Sequence, residues 1–290
     1  MDFRSPGEKV GDALNYIILA LIAAAMILPF FYITVISFST LADFLKNDII
    51  LWPSTFVTSA YEYILNSRSF TRSLQVTVFI TVAGTLVNLA FTATMAYALT
   101  RRVFGQRFIL MLVIFSMLFG PGLIPTYMVV KYLGLIDSLW ALIIPVAISP
   151  FNLIVMRQFF LSIPDDITEA ALLDGANELQ IFWKIILPLS KPAMAAFGLF
   201  YAVGHWNSYF SAILYLNDPA KWPIQVVLRQ IVVLNQPTNA LGSPEQLLEN
   251  RPPPETVQMA AIIVATVPIL LIYPFLQKHF AKGVMLGAVK

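Results

Sequence analysis

The 290-residue chain has no cysteine, two histidines and few charged residues. Lack of cysteine excludes disulfides, thiolate metal sites and a cysteine nucleophile. His205 and His279 are too few for a zinc site built on histidines of this chain. Charged residues make up 12% of the sequence, and 18 basic against 16 acidic residues leave a net charge of +2. That small excess is scattered rather than striped, which argues against nucleic acid as a partner. There is no G-x-x-x-x-G-K-[ST] phosphate loop, so ATP hydrolysis by that route is excluded. No cluster of nucleophile, base or metal ligands suggests an enzyme. Asp165 and Asp166 are adjacent, but at a helix start they read as complements to the helix dipole rather than as an acid/base pair.

What the chain has instead is apolar surface. Hydrophobic residues account for 58% of it, and the mean hydropathy is +0.77, more than one soluble core of this length would bury. Six segments, at 14–38, 72–100, 108–130, 138–161, 192–216 and 257–278, reach the roughly 20 residues that a helix needs to cross a bilayer. The expectation is an all-α membrane protein of six transmembrane helices in a single domain, 1–290, without internal repeats. The apolar run of the first segment is longer than that of a signal peptide, and Ala23-Ala24-Ala25 falls in its middle, so it reads as a retained anchor.

An even number of spans puts both termini on one side. With the termini inside, Arg101, Arg102 and Arg107 share a short cytoplasmic loop, as the positive-inside tendency favours. Two exterior segments are long. Residues 39–71 carry Trp52, Tyr61 and Tyr63, which read as an interfacial aromatic belt. Residues 217–256 carry Asp218-Pro219, Trp222-Pro223 and Pro252-Pro253-Pro254, a rigid, helix-breaking composition suited to a projecting functional loop.

Between the fourth and fifth spans lies a polar segment, 164–190. Pro164, Asp165 and Asp166 suit a helix first turn, Gly175 suits its stop, and Phe182, Ile185 and Ile186 recur at helical spacing up to Pro188. Two short helices at an angle should result, with the shape of a handle for another protein.

The stretch Glu169-Ala170-Ala171-Leu172-Leu173-Asp174-Gly175-Ala176, followed by Ile185-Ile186-Leu187-Pro188, resembles the EAA loop of bacterial ABC-importer permeases. With Asp174-Gly175-Ala176 in its middle it looks like the carbohydrate branch that includes the smaller maltose permease subunit. The ending Leu286-Gly287-Ala288-Val289-Lys290 is similar to the tail of that branch. Gly122 to Tyr127 and Gly134 to Ala141 resemble permeases for complex oligosaccharides.

The resemblance implies the ABC type I importer permease fold in a bacterial cytoplasmic (inner) membrane. It also implies a second, different permease subunit, an external solute-binding protein, and two ATPase subunits docking on 164–190. Glu169, Ala170, Ala171, Asp174, Gly175, Ala176 and Pro188 would form the coupling site. Ala170, Ala171 and Ala176 are small enough to sit deep in a partner groove, and Glu169 would pair with a basic residue there. ATP and Mg would be bound by the ATPase subunits, with no cofactor on this chain. The implied solute is an oligosaccharide, including acidic fragments such as alginate or pectin oligomers.

Within the spans, prolines at 29, 121, 125, 145, 150, 268 and 274 free backbone carbonyls that need other helices or a watery cavity. Gly120-Pro121-Gly122 with Pro125 should break the third span. At about 100° per residue, Tyr201, His205, Ser208 and Tyr209 fall on one stripe of the fifth span, with Gly198 beneath them. Trp206, Phe210 and Ile213 lie to the side, and Asn207 and Ser211 on another face. The stripe, with Asn152 in the fourth span, suits either interhelical packing or the lining of a sugar path. Arg157 is placed to snorkel to the interface. The competing reading is a secondary transporter or channel working alone, although no carboxylate ladder lies within the spans to drive one with protons or sodium.

Overall fold

A computed structural model describes residues 6–46, 50–234 and 252–285. Residues 235–251 of the long exterior segment and the 286–290 tail lie outside the described residues. Every regular element described is helical. The chain sorts into two compact units, one of residues 1–71 with 228–265, the other of 72–227 with 266–290.

In the first unit, α1 (Pro6–Ser37) runs straight through Pro29. Its apolar stretch Gly11–Ser37 buries none of its most hydrophobic window within the chain, so this surface is built for lipid or for another subunit's helices. Val35, Ile36 and Ile50 form a small core with Tyr32, Phe44 and Met259. α2 (Leu41–Lys46) and α3 (Ser59–Asn66) follow. The aromatics of this segment divide, since Trp52 is 66% exposed whereas Tyr63 is buried. Tyr61 packs on Phe38 with ring centroids 4.9 Å apart and shares a 2.7 Å hydrogen bond with Ser37. Of the three, Trp52 is the most exposed, its ring edge-on to Phe56 with centroids 5.5 Å apart.

The second unit is strung along α4 (Arg68–Ala98), a helix of 31 residues without proline, nearly all of it in this unit. At one end Val76 and Ile80 join Val130, Leu142, Ile143, Ala212, Tyr215 and Val226. At the other, Ala93, Ala96 and Tyr97 join Val113, Leu153, Met156, Phe182 and Phe197. Between these two cores α4 presents Gly84, Asn88 and Thr92, and the candidate path lies there.

Three of the expected spans are broken helices. α5 (Gln106–Leu118) and α6 (Leu123–Tyr132) are separated at Phe119–Gly122, where Gly122 takes φ +79° and Pro125 enters the first turn of α6. The third span therefore breaks where Gly120-Pro121-Gly122 leads one to expect.

The fourth span is not one helix over 138–161. It is a pair of 3-10 turns, Leu139–Leu142 and Ile144–Val146, bent by 51° against α7 (Pro150–Leu161). Pro145 and Pro150 cannot donate the backbone bonds a continuous helix needs.

The fifth span, expected over 192–216, ends as a helix at Trp206 in α11 (Lys191–Trp206) and resumes as α12 (Phe210–Tyr215). Among the described residues three helices are long and apolar enough to cross alone, and up to five spans result if two bent pairs, Leu139–Val146 with Pro150–Leu161 and Glu178–Leu189 with Lys191–Trp206, each count as one. α13 (Ile224–Val232) and α14 (Pro254–Met285) complete the order.

Candidate functional site

The polar segment folds as the hairpin its sequence predicts. α8 (Asp165–Leu173) begins after Pro164 and carries Asp165 and Asp166 in its first turn. It ends in a Schellman motif. The N–H of Gly175 donates to Leu172 O (3.0 Å), that of Ala176 donates to Ala171 O (2.9 Å), and Gly175 takes φ +82°. Ala171 and Ala176, the pair whose side chains meet in such a motif, pack against the chain's own core.

Asn177 opens α9 (Glu178–Ile181) with a reciprocal capping box to Gln180 (2.9 and 3.0 Å). The helix widens into a π turn, Phe182–Ile186, before α10 (Leu187–Leu189), where Pro188 has no N–H to donate. At Ser190 the path bends by 80° into α11.

The hairpin thus sorts the seven coupling candidates. Glu169, Ala170, Asp174, Gly175 and Pro188 are exposed. Ala171 and Ala176 are half-buried and pack against the chain's own core, so small size at these two positions also serves the turn. Sequence reasoning missed the apolar surface beside them, where Leu173 is 90% exposed, Leu179 71% and Trp183 64%. Large exposed side chains flanking an exposed carboxylate are suited to docking.

The second candidate site is a cleft of about 660 Å³ lined by parts of α4, the 3-10 turns, α7, α11, the 207–209 break and the start of α12. All five path candidates line it, namely Asn152, Tyr201, His205, Ser208 and Tyr209. Their roles differ. The Tyr201 hydroxyl shares a 2.7 Å hydrogen bond with Thr92 and accepts from the Ser149 N–H at 3.4 Å. His205 Nε2 lies 2.7 Å from Asn88 Oδ1, and the Asn88 amide donates to the Val146 carbonyl. Both side chains are buried and spent on ties between elements.

Ser208 and Tyr209 fall on the unwound stretch rather than on the α11 stripe. Because the helix breaks at 207, Asn207, Ser211 and the 61%-exposed Phe210 also line the cleft, although helical periodicity assigned them to other faces. Trp206 is buried. Arg157 Nε donates to the Leu99 carbonyl at 2.8 Å, which ties α7 to the end of α4.

Comparison with known proteins accords with this geometry. Residues 90–286 match the family of binding-protein-dependent transport system inner membrane components. Protein LplC of Bacillus subtilis is 51% identical over 284 residues, spanning 97% of this chain and 95% of the relative. The polygalacturonan/rhamnogalacturonan transport system permease protein YtcP of the same organism is 51% identical over 285 residues, 98% and 99% of the two chains. Among solved structures, a chain of a bacterial ABC transporter involved in the import of the acidic polysaccharide alginate is 35% identical. It superposes with a TM-score of 0.89, over 97% of this chain and all of that one. The chain belongs to this family of inner-membrane transport components. It has the ABC type I permease fold, and it is a transport component and not an enzyme.

Proposed function

From membership in that family we propose that the chain is one of two different permease subunits of an ATP-driven, binding-protein-dependent importer of acidic oligosaccharides. The whole chain acts as one permease domain with both termini in the cytoplasm. Two ATPase subunits, which hold ATP and Mg, dock on 164–190, and an external solute-binding protein delivers the solute. The observation that carries this reading is the capped hairpin, which presents Glu169 and the exposed Leu173, Leu179 and Trp183 on a rigid turn.

ATP-driven closure of the ATPase pair would move the two permease hairpins and rock the spans between inward- and outward-facing states. The solute class rests on the relatives, one a polygalacturonan/rhamnogalacturonan permease and one from an alginate importer. The cleft suits the hydroxyls and ring faces of a sugar, with amides at Asn152 and Asn207, hydroxyls at Ser208 and Tyr209 and an exposed ring at Phe210. Among the described residues no Lys or Arg lines it, so acidic groups of the solute would be met by other parts of the assembly.

The test is uptake of labelled oligogalacturonides and alginate oligomers into proteoliposomes. Uptake should require this chain, the second permease, the ATPase and the binding protein together with ATP. Uptake by this chain alone, driven by an ion gradient, would support the stand-alone transporter instead.

A further inference from the structure

We propose that Glu178 is a latch that fastens the coupling hairpin to the end of α4 through Arg101 and Tyr97, so that hairpin displacement is passed along α4 to the cleft wall. This rests on the reading of 164–190 as the ATPase handle. Glu178 Oε2 accepts from the Tyr97 hydroxyl at 2.5 Å and lies 3.1 Å from Arg101 Nε. Arg101 Nη2 donates to the same Tyr97 oxygen at 2.8 Å, and its guanidinium stands 4.9 Å from the centre of the Tyr97 ring. The ring in turn packs on Phe182 of the hairpin, centroids 5.0 Å apart.

The two ends of this contact are rigid. On the hairpin, the Asn177–Gln180 capping box fixes the turn from which Glu178 projects. On the helix side, the Leu99 carbonyl just beyond α4 accepts from both Arg157 Nε (2.8 Å) and Gln106 Nε2 (2.6 Å), which binds the tip to α7 and α5. From Tyr97, Thr92 and Asn88 follow back along α4, nine residues or about 14 Å at the usual helical rise. These two hold Tyr201 and His205 at the cleft. The hairpin turn and the cleft are therefore tied to one proline-free helix, the first at Tyr97 and the second at Thr92 and Asn88.

The ion pair is partly exposed, with Arg101 at 27% and Glu178 at 54%. Such pairs contribute little to folding, so the pair can be removed without dismantling the core. A role in coupling is then separable from a role in stability.

The experiment uses the full complex with its ATPase, in proteoliposomes loaded with ATP. Glu178→Gln and Arg101→Gln should leave complex yield and melting temperature unchanged and raise the ATP hydrolysed per solute imported several-fold. The exchange Arg101→Glu with Glu178→Arg should restore at least half of the coupling. Should a glutamine variant fail to assemble, Tyr97→Phe, which keeps the ring on Phe182 and removes the hydroxyl, gives the same test.

A wild-type ratio in the single variants overturns the latch, as does failure of the exchange to restore what each single variant lost. Glu169→Lys is measured alongside. If it leaves ATPase copurification and uptake intact, the handle reading fails; if it abolishes them while Glu178→Gln changes nothing, only the latch does.

Discussion

The side chain that Gly84 lacks would occupy the ring of His205. A Cβ built there would lie 2.4 Å from Nε2 and 2.6 Å from Cε1, closer than any real contact. Glycine on α4 and histidine on α11 are therefore one packing unit, completed by the bond from His205 to Asn88. Gly84→Val should force these helices apart at a cost of about 1–3 kcal/mol. The check is a lowered melting temperature of the detergent-solubilised complex, with Gly198→Ala as a milder control because only Leu89 approaches that position, at 3.4 Å.

The cleft residues should separate into two classes. Tyr201→Phe removes the bond to Thr92, and His205→Ala removes that to Asn88, so both should act on stability, at about 0.5–1.5 kcal/mol per lost hydrogen bond. Ser208→Ala and Tyr209→Phe, the latter keeping the ring that packs on the Val76–Val226 core, should leave assembly intact and raise the half-saturating solute concentration several-fold. Uptake kinetics and complex yield measured side by side decide this, and unchanged kinetics in both would move the path elsewhere.

At the hairpin turn, a methyl group on residue 175 meets nothing within 4 Å, yet the backbone there has φ +82°. Gly175→Ala is consequently a test of conformation alone, with an expected cost of about 1–2 kcal/mol. It should reduce ATPase copurification partially, and Gly175→Pro, which cannot adopt a positive φ, completely. Equal retention of the ATPase by both variants would show that the turn does not present the docking surface.

Topology is tested cleanly because the chain has no cysteine. Single cysteines replacing Ser243 and Asn177 should react with a membrane-impermeant maleimide from opposite faces of spheroplasts, Ser243→Cys from outside. Labelling of both from one face contradicts the six-span arrangement.

Asp43 gives a pH dependence. Hydrogen bonds from the Ser54 side chain and the Thr40 backbone hold its carboxyl at about 2, below the ordinary 3.8. A depressed folded-state value means that this contribution is fully present above about pH 4 and is lost as pH falls towards 2. Proteolytic protection of the 40–54 segment should therefore decline in that window, and Asp43→Asn should lack the transition.

Membrane character, the helical class and the hairpin are legible in the sequence because each depends on local signals. Apolar length decides what enters a bilayer, and Pro164, Gly175 and Pro188 act on their own backbones wherever the chain goes. The break at Gly122 was legible for the same reason.

The rest arose from packing between residues far apart in the chain. Periodicity placed Ser208 and Tyr209 on a stripe with His205 by assuming an unbroken helix, and no proline or glycine at 207–209 announces the interruption. The inward turn of Ala171 and Ala176, the spending of Tyr201 and His205 on α4, and the meeting of Arg101 with Glu178 are contacts between residues distant in the chain. Such partners are fixed by how helices pack, and that information is shared among many side chains instead of residing in any one of them.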